Sequence, residues 1–399
     1  MALSEKAFWL WLQRGLGIGS HKLLPLLKEF GSPRLCFEAG EEAWRQWGKL
    51  SPKELERFSF YTPLYGEALS RYAETLGQSV LTPEQWRYPR PLRYLSDPPC
   101  ALFMWGRLPY FEGRPWVAVV GSREASEEEC RAARRLAAGL AEAGAVIVSG
   151  GALGIDGAAH RGAMDAGGET VCVLGCGLSF PYLSAQMSLR EEIAEKGALL
   201  TEYPPDTPSL PMHFPVRNRL ISGLCDGVVV MSAGEKSGSL VTARLAVKQR
   251  RAVMVGASEG ASPSAGCEKL RLNGVPSVSS AEEVLSCILD AEEAVSKSEF
   301  SAGPILKAVR SESSAASFSK GETVVLSERS EAKKLGALEN ISEDGKALLL
   351  AVSRSGEVRQ ASELARELSI PVARVLAAAT ELELSGCIRS YSGGRYGPA

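Results

Sequence analysis

The sequence predicts an α/β protein whose main domain is an extended Rossmann-like doubly wound parallel sheet. From Trp116 onward, short apolar runs of strand length alternate with segments of helix length, which is typical of a parallel sheet covered on both faces. Glycine-rich turns follow several of these runs, as they do where strands lead into helices around a ligand. The chain has 399 residues, which is enough for roughly two to four domains of ordinary size.

The chain is expected to begin with a small helical domain, residues 1–75. Apolar residues at Phe8–Leu12 and Leu23–Leu27 have helical spacing, and a break at Gly15–Gly19 separates them. This break fits either a plain turn between two helices or a hairpin that contacts phosphate through its backbone. Residues 80–114 are rich in proline and aromatic residues, so we predict that they cover the neighbouring domain and build no core of their own.

The sheet domain is predicted over residues 76–290, including this lead-in. A capping box at Ser126 and Glu129 opens its first helix. The predicted strands are Trp116–Val120, Ala145–Ser149, Thr170–Leu174, Ala198–Thr201, Gly227–Ser232 and Ala252–Gly256, and the predicted helices are 126–143, 156–166, 186–196, 216–223 and 239–250.

Two further segments follow the sheet domain. Residues 291–337 are serine-rich and lack a sustained apolar period, which predicts a flexible linker, with room for one short strand near Val324–Leu326. Residues 338–399 predict a winged helix, because three helix-like segments precede a hairpin that turns at Gly393-Gly394. The recognition helix, 371–384, has few side chains suited to reading bases, so we expect it to contact protein.

Composition excludes several classes of function. The net charge of −2 does not indicate a polyanion partner, so any anion site must be local. Nine cysteines without a Cys-x-x-Cys pair and three histidines leave little material for a disulfide framework, a metal centre or a hydrolytic triad. No early apolar run is long enough to span a membrane. We therefore expect a cytoplasmic protein with no metal, no cofactor and no membrane partner.

Residues suited to anion binding follow the predicted strands. In a parallel sheet, ligands bind beyond the carboxyl ends of the strands. Gly121-Ser122-Arg123 follows the first strand, and Ser149-Gly150-Gly151 begins the loop after the second, which leads to Asp156. Both loops offer backbone N–H and hydroxyl groups at a helix N-terminus, where phosphate is readily held. Asp156 also fits a simple helix cap.

Two later loops add cations. Phe214, Arg217, Asn218 and Arg219 lie at the end of a long loop after the fourth strand, and Lys236-Ser237-Gly238-Ser239 begins a helix after the fifth. Because both loops lie at the same edge of the sheet as Arg123, the sequence predicts one cationic groove. Phe214 fits either the core or a platform on which a base stacks. Neither a dinucleotide fingerprint nor a nucleoside triphosphate loop is present.

Four motifs, in this order along the chain, resemble those of the DNA processing protein A family (DprA/Smf): Gly121-Ser122-Arg123, Gly154-Ile155-Asp156 with Ala159-His160, Phe214-Pro215-x-Arg217-Asn218-Arg219, and Lys236-Ser237-Gly238-Ser239. The first 75 residues resemble the family's helical SAM-like domain, and Gly393-Gly394-Arg395-Tyr396 resembles part of its winged-helix tail. The resemblance therefore covers nearly the whole chain.

The resemblance implies a non-enzymatic protein that binds single-stranded DNA, protects incoming strands and loads the RecA recombinase during natural transformation. It also implies a homodimer formed through the Rossmann-like domain. The family's DNA-binding positions correspond to Arg123, Arg217–Arg219 and Lys236–Ser239. The chain departs from the family at Leu153, where an arginine is usual, at Val255-Gly256-Ala257 and at Glu268.

The expected mechanism holds the phosphates of a few nucleotides with loop N–H groups and four cations, without reading sequence. The alternative is a Rossmann-like nucleotide phosphoribohydrolase of the lysine-decarboxylase-like family. The stretch Lys236–Thr242 lacks the acid that this family places in the comparable loop, so base release has no obvious general acid. A ligand-sensing transcription regulator would need a basic recognition helix, which the tail does not supply.

Overall fold

The computed structural model describes residues 3–182, 186–257 and 263–297, and in the last domain residues 342, 344–345, 347–348, 351–352, 359–368, 370–384, 388–391 and 395–398. The chain divides into two compact units, Met1–Ser313 and Ser314–Ala399. The helical domain and the sheet both belong to the first unit.

The helical domain packs around Trp11, which is fully buried. Its helices are α1 (Glu5–Leu16), α2 (Leu23–Phe30), α3 (Pro33–Trp47), α4 (Pro52–Phe60) and α5 (Pro63–Thr75). The rings of Phe37, Trp44 and Phe58 lie 4.9 to 5.7 Å from that of Trp11. Gly15 lies inside α1, and only glycine fits there because the Phe58 ring leaves no room for a Cβ. The turn to α2 begins at Gly17, whose φ is 85°.

The large sheet confirms the predicted fold class. Its strands are β1 (Ser79–Leu81), β2 (Leu102–Gly106), β3 (Trp116–Val120), β4 (Val146–Ser149), β5 (Thr170–Val173), β6 (Ala198–Thr201), β7 (Gly227–Val230), β8 (Ala252–Gly256) and β9 (Ser277–Val278). The order is β1-β2-β6-β5-β4-β3-β7-β8-β9, and β3 to β9 are parallel. All six predicted strands are present.

The lead-in contributes two strands that the sequence analysis missed. β2 pairs antiparallel with β6, and β1 pairs antiparallel with β2, so the sheet extends beyond its parallel part. The rest of the lead-in covers the sheet as predicted, since Tyr88 and Leu92 are buried against it. Leu92 lies in a short 3-10 helix, Arg90–Tyr94.

Helices cover both faces of the sheet. They are α6 (Glu127–Glu142), α7 (Ile155–Asp165), α8 (Met187–Lys196), α9 (His213–Leu224), α10 (Gly238–Lys248), α11 (Ala265–Leu272) and α12 (Ala281–Lys297). Alternate residues of β3 enter opposite cores: Ala118 packs with α9 and α10, and Val117 with α6, α7 and α12. α12 continues past residue 290, where the sequence analysis ended this domain.

The second unit has the helices and sheet of a winged helix. Its described elements are β10 (Arg359–Gln360), α13 (Ala361–Leu368), α14 (Val372–Leu384), β11 (Ile388–Tyr391) and β12 (Arg395–Pro398), with strand order β10-β12-β11. Leu364, Val375, Leu382 and Ile388 form part of its core. The strand predicted near Val324–Leu326 and the turn at Gly393-Gly394 lie outside the described residues.

Candidate nucleic-acid interface

A cavity of about 480 Å³ opens at the carboxyl ends of β3 and β7. From β3, the chain builds the sheet through β4, β5 and β6 on one side and through β7, β8 and β9 on the other. The loops after β3 and β7 therefore diverge, and such a switch point is where open parallel sheets bind ligands. The sheet topology thus accounts for the position of the cavity.

Ten of the fourteen residues predicted for the site line this cavity: Gly121, Ser122, Arg123, Phe214, Arg217, Asn218, Lys236, Ser237, Gly238 and Ser239. The other four, Ser149, Gly150, Gly151 and Arg219, do not line it. Ala152, Asp156 and Thr242 also line it, although the sequence analysis did not assign them to the site. Thr242 lies four residues after Gly238 on α10, a helical spacing that could have indicated it.

Arg123 and Lys236 are exposed at the rim of the cavity. Neither forms an ion pair or a hydrogen bond with any described side chain. The Arg123 guanidinium lies 5.0 Å from the centre of the Phe214 ring, within the range of a cation–π contact. These two cations are therefore available to an anion from outside.

The loop that carries Arg123 is held in place by close packing against the start of α7. A Cβ on Gly121 would lie 2.5 Å from the Ile155 side chain, so only glycine fits there. Gly154 has a φ of 74°, and a Cβ on it would meet the Ser122 carbonyl at 2.4 Å. That carbonyl accepts a hydrogen bond of 3.2 Å from the Ile155 N–H. The backbone of this rim is consequently fixed.

The start of α10 offers the more favourable helix dipole for an anion. Ser237 caps α10, its hydroxyl lies 2.7 Å from that of Ser239, and no acidic residue occupies the first turn. Asn218 donates a hydrogen bond of 3.2 Å to the Gly238 carbonyl and so fixes this turn against α9. In contrast, the first turn of α6 already contains Glu127–Glu129, which complement its dipole.

Arg217 lies in the second turn of α9, which begins three residues before the predicted helix 216–223, and it is only 5% exposed. Its guanidinium donates to the carbonyls of Gly150, at 3.0 Å, and Val173. Burial lowers the pKa of Arg217 and raises that of Asp156, and the attraction between the two charges opposes both shifts. Arg217 therefore joins the ends of β4 and β5 beneath the cavity.

Phe214, Ser149 and Gly151 pack against the protein interior. Phe214 packs against Gly175, where a Cβ would lie 3.1 Å from the ring, and the ring is half-buried. Ser149 is fully buried and donates a hydrogen bond of 2.6 Å to the Val119 carbonyl. Gly151 has a φ of 66° and leaves room for the Cys172 thiol. Ser149 and Gly151 thus shape the site from below.

The expectation that Arg219 faces the groove is wrong. Its Nη2 lies 2.8 and 2.6 Å from the two carboxylate oxygens of Glu202, and its Nε lies 3.2 Å from Asp97. The Arg219 and Glu202 side chains are 4% and 3% exposed. Gln13 of the helical domain donates to the Glu202 carbonyl at 2.5 Å. Arg219 therefore joins the lead-in to the sheet domain, and the Glu202 that it pairs with also accepts the hydrogen bond from the helical domain.

No group of histidine, cysteine, aspartate and glutamate side chains in the described part of the chain is arranged to hold a metal ion. No described helix is long and apolar enough to cross a membrane.

Comparisons with known proteins give a consistent result. Residues 79–289 match the profile of DNA recombination-mediator protein A, and residues 337–394 match that of the DprA winged helix domain. Protein Smf of Synechocystis sp. is 34% identical over 72% of this chain and 74% of its own length.

Two solved structures also match. The structure of DNA processing protein A from Streptococcus pneumoniae is 30% identical and has a TM-score of 0.61 over 72% of this chain and 98% of that one. The protein of the same name from Helicobacter pylori, described for its single-stranded DNA binding mode, is 31% identical, with a TM-score of 0.48 over 53% of this chain and 96% of that one. Because the first profile covers more than half of the sequence, the chain belongs to the DNA recombination-mediator protein A family, whose relatives are named DprA and Smf.

Proposed function

We propose that this chain binds single-stranded DNA at the cavity, holding the phosphates without reading the bases and without altering the strand chemically. The observation that carries the proposal is the pair of exposed cations, Arg123 and Lys236, which pair with no described side chain and lie beside the N-terminus of α10, whose first turn contains no acidic residue. Charges of this kind neutralise phosphates and release their counterions. The strand would cross the carboxyl ends of β3 and β7 between the two cations.

The remaining predicted residues have defined parts in this proposal. Ser122, Ser237 and Ser239 supply hydroxyl groups at the cavity wall, and glycines at 121 and 238 let the strand approach the backbone. Phe214 contacts the Arg123 guanidinium, and a base that stacked on its half-buried ring would contribute about 1–3 kcal/mol.

The test is a titration of labelled oligo-dT with the full chain at several salt concentrations, with a duplex of equal length in parallel. We expect tighter binding of the single strand. A plot of the logarithm of the binding constant against the logarithm of the salt concentration should have a slope of about −1.4 or steeper. Each neutralised phosphate contributes about −0.7, and Arg123 and Lys236 neutralise two. Equal affinity for the duplex, or no salt dependence, would overturn the proposal.

We also propose that the chain forms a homodimer through its sheet domain, which would place two cavities on one strand and raise avidity. Two large apolar side chains on α11 and α12 support this: Leu272 is 78% exposed and Leu289 is 60% exposed. Sedimentation should show a dimer that Leu272→Glu converts to a monomer with weaker binding to long strands. A monomeric wild type would contradict it.

The resemblance to the family supports a further proposal, that the bound strand is an incoming strand in the cytoplasm during natural transformation and that the chain loads RecA onto it. The direct measurement is RecA filament formation on strands covered by a single-strand binding protein. We expect faster filament formation when the chain is added, and Arg123→Ala should reduce the effect. Equal rates with and without the chain would contradict loading.

One observation favours a second candidate, hydrolysis of a nucleotide. Asp156 lines the cavity, and burial raises its pKa, which is a common feature of catalytic carboxyl groups. Chromatography of nucleoside monophosphates incubated with the chain would detect released base. We expect none, because Asp156 lies beside Arg217 and accepts a hydrogen bond of 3.4 Å from the Ala152 N–H. Base release that Asp156→Asn abolishes would favour the enzyme.

A further inference from the structure

Arg190 is a buried arginine without an anion. It lies in the first turns of α8, is 2% exposed, and makes one weak contact of 3.8 Å with the Met187 sulfur. Its Nε and Nη2 atoms have no hydrogen-bond partner, and no described carboxylate pairs with it. A guanidinium stays protonated in proteins, so burial without a partner is unfavourable.

The other buried arginines of the described residues show how this chain normally compensates such a charge. Arg219 is paired with Glu202 and Asp97, and Arg217 donates to two backbone carbonyls. Arg190 has neither kind of partner, although it is equally buried. Its charge therefore lacks the compensation that the fold provides elsewhere.

Neighbouring thiols do not supply the missing negative charge. Cys172 and Cys176 are close enough for Arg190 to favour their thiolates. Burial nevertheless raises the pKa of Cys172 to about 12, and burial also raises that of Cys176. Both groups are neutral thiols at physiological pH. The described side chains therefore supply no counterion for Arg190.

Arg190 lies at the far end of a row that begins at the cavity and consists of two neighbouring rings with a cation at each end. Arg123 lies 5.0 Å from the Phe214 ring, the Tyr182 ring lies 5.5 Å from that of Phe214, and Arg190 lies 5.5 Å from the Tyr182 ring. Tyr182 is half-buried, and the Arg190 guanidinium lies against its ring. Rings beside cations are the features that bind bases and phosphates of a single strand.

We propose that Arg190 binds a further phosphate of the strand, in a subsite beyond Phe214 that the Tyr182 ring covers when no DNA is bound. The subsite deepens the proposed function and rests on it. Rotation of the Tyr182 side chain exposes the guanidinium, and the phosphate then supplies the anion that the fold omits. A strand leaving the cavity over Phe214 thereby gains one more charged contact.

The test compares wild type with Arg190→Met, which keeps an unbranched apolar side chain and removes the charged guanidinium. We expect oligo-dT affinity to fall about fivefold to tenfold and the salt slope to become shallower by about 0.7, the contribution of one phosphate. The thermal midpoint without DNA should not fall, because methionine suits a buried position better than an unpaired charge. The control is Arg161→Met, since Arg161 is paired with Glu192 and should show neither change in binding.

Further variants keep the outcomes separate. Arg190→Lys should retain the wild-type slope with weaker binding, because an ammonium cannot form the paired contacts of a guanidinium, and this variant decides the matter if Arg190→Met does not fold. Wild-type affinity and slope in Arg190→Met, or in Arg190→Lys if only that variant folds, would overturn the subsite. If wild type itself does not bind the strand, or if Arg123→Ala binds as wild type does, the proposed function fails instead.

Discussion

The two arginines of α9 and the two cations at the rim of the cavity differ in what compensates their charge. Arg217 and Arg219 are buried, and backbone carbonyls or carboxylates of the protein take up their hydrogen bonds. Arg123 and Lys236 are exposed, and no side chain in the described part of the chain pairs with them. The first pair therefore stabilises the folded chain, whereas the second pair is free to attract a ligand.

Among the cations predicted for the site, the buried arginines of α9 thus serve folding, and the exposed cations at the rim serve binding. A side chain that is already paired gains little from a phosphate, because its existing partner would have to be left buried and alone. An exposed cation loses only water and counterions. Variants of the α9 arginines should therefore change stability first, and variants at the rim should change affinity alone.

The largest effect is expected for Arg219→Ala. The change leaves Glu202 buried without its partner, which should lower the free energy of unfolding by about 3–5 kcal/mol. Urea denaturation measures it. The double variant Arg219→Met with Glu202→Leu should recover most of the loss. A decrease below about 1 kcal/mol, the range of surface ion pairs, would mean that Arg219 is not the structural group described above.

A smaller effect concerns acid stability, since His160 belongs to the buried set. Burial, with a contribution from Arg217, lowers the pKa of His160 to about 3. Below about pH 6.5 the unfolded chain therefore binds a proton at His160, whereas the folded chain keeps this histidine neutral. Stability should fall as the pH decreases through this range, by up to about 1.4 kcal/mol per pH unit.

The control for this effect is His160→Gln, compared with wild type by urea denaturation at each pH. His160 lies 2.7 Å from the Thr170 hydroxyl, which donates to the Ile147 carbonyl, so the histidine donates and glutamine can replace that hydrogen bond. The difference in stability between the two proteins should shrink as the pH falls. A difference that does not change with pH would show that His160 has the same pKa in the folded and the unfolded chain.

The rim of the cavity could be predicted from the sequence, whereas the burial of the α9 arginines could not. The six parallel strands were predictable because a strand buried on both faces is a continuous apolar run. The loops after those strands then had to meet at one edge, which accounts for the ten residues found together. β2 was missed because its five residues lie in a stretch dominated by proline and turn signals.

The burial of the α9 arginines was not predictable from local pattern. Pro215 suggested a loop before the helix, but it lies in the first turn of α9, where a helix tolerates a residue without an N–H. The partners of Arg219 are Glu202 and Asp97, which are distant in sequence and reach it through a different strand and the lead-in. Only the folded chain shows that these charges meet.

At the rim, Arg123→Ala and Lys236→Ala should each weaken binding of oligo-dT by about fivefold to tenfold and reduce the salt slope by about 0.7. Unfolding free energies should stay within about 0.5 kcal/mol of wild type, as for ordinary surface changes. Arg45→Ala, which removes an exposed arginine of α3 paired with Glu41, is the matched control and should leave binding unchanged. If Arg123→Ala and Lys236→Ala lowered the unfolding free energy and left the affinity unchanged, the rim cations would serve folding and not binding.

The smallest effect is expected from deleting residues 338–399, which asks whether the rim accounts for binding without the second unit. On α14, Arg374 is paired with Asp344, and the neighbouring exposed side chains include Val372 and Leu376. Ala378 on the same helix is buried. A helix surface of this kind offers little to phosphates, so fluorescence anisotropy should give the truncated chain an oligo-dT affinity within about threefold of wild type, with the same salt slope. A tenfold loss with a shallower slope would show that the second unit contributes charges of its own, and the comparison between rim and α9 would then describe only part of the interface.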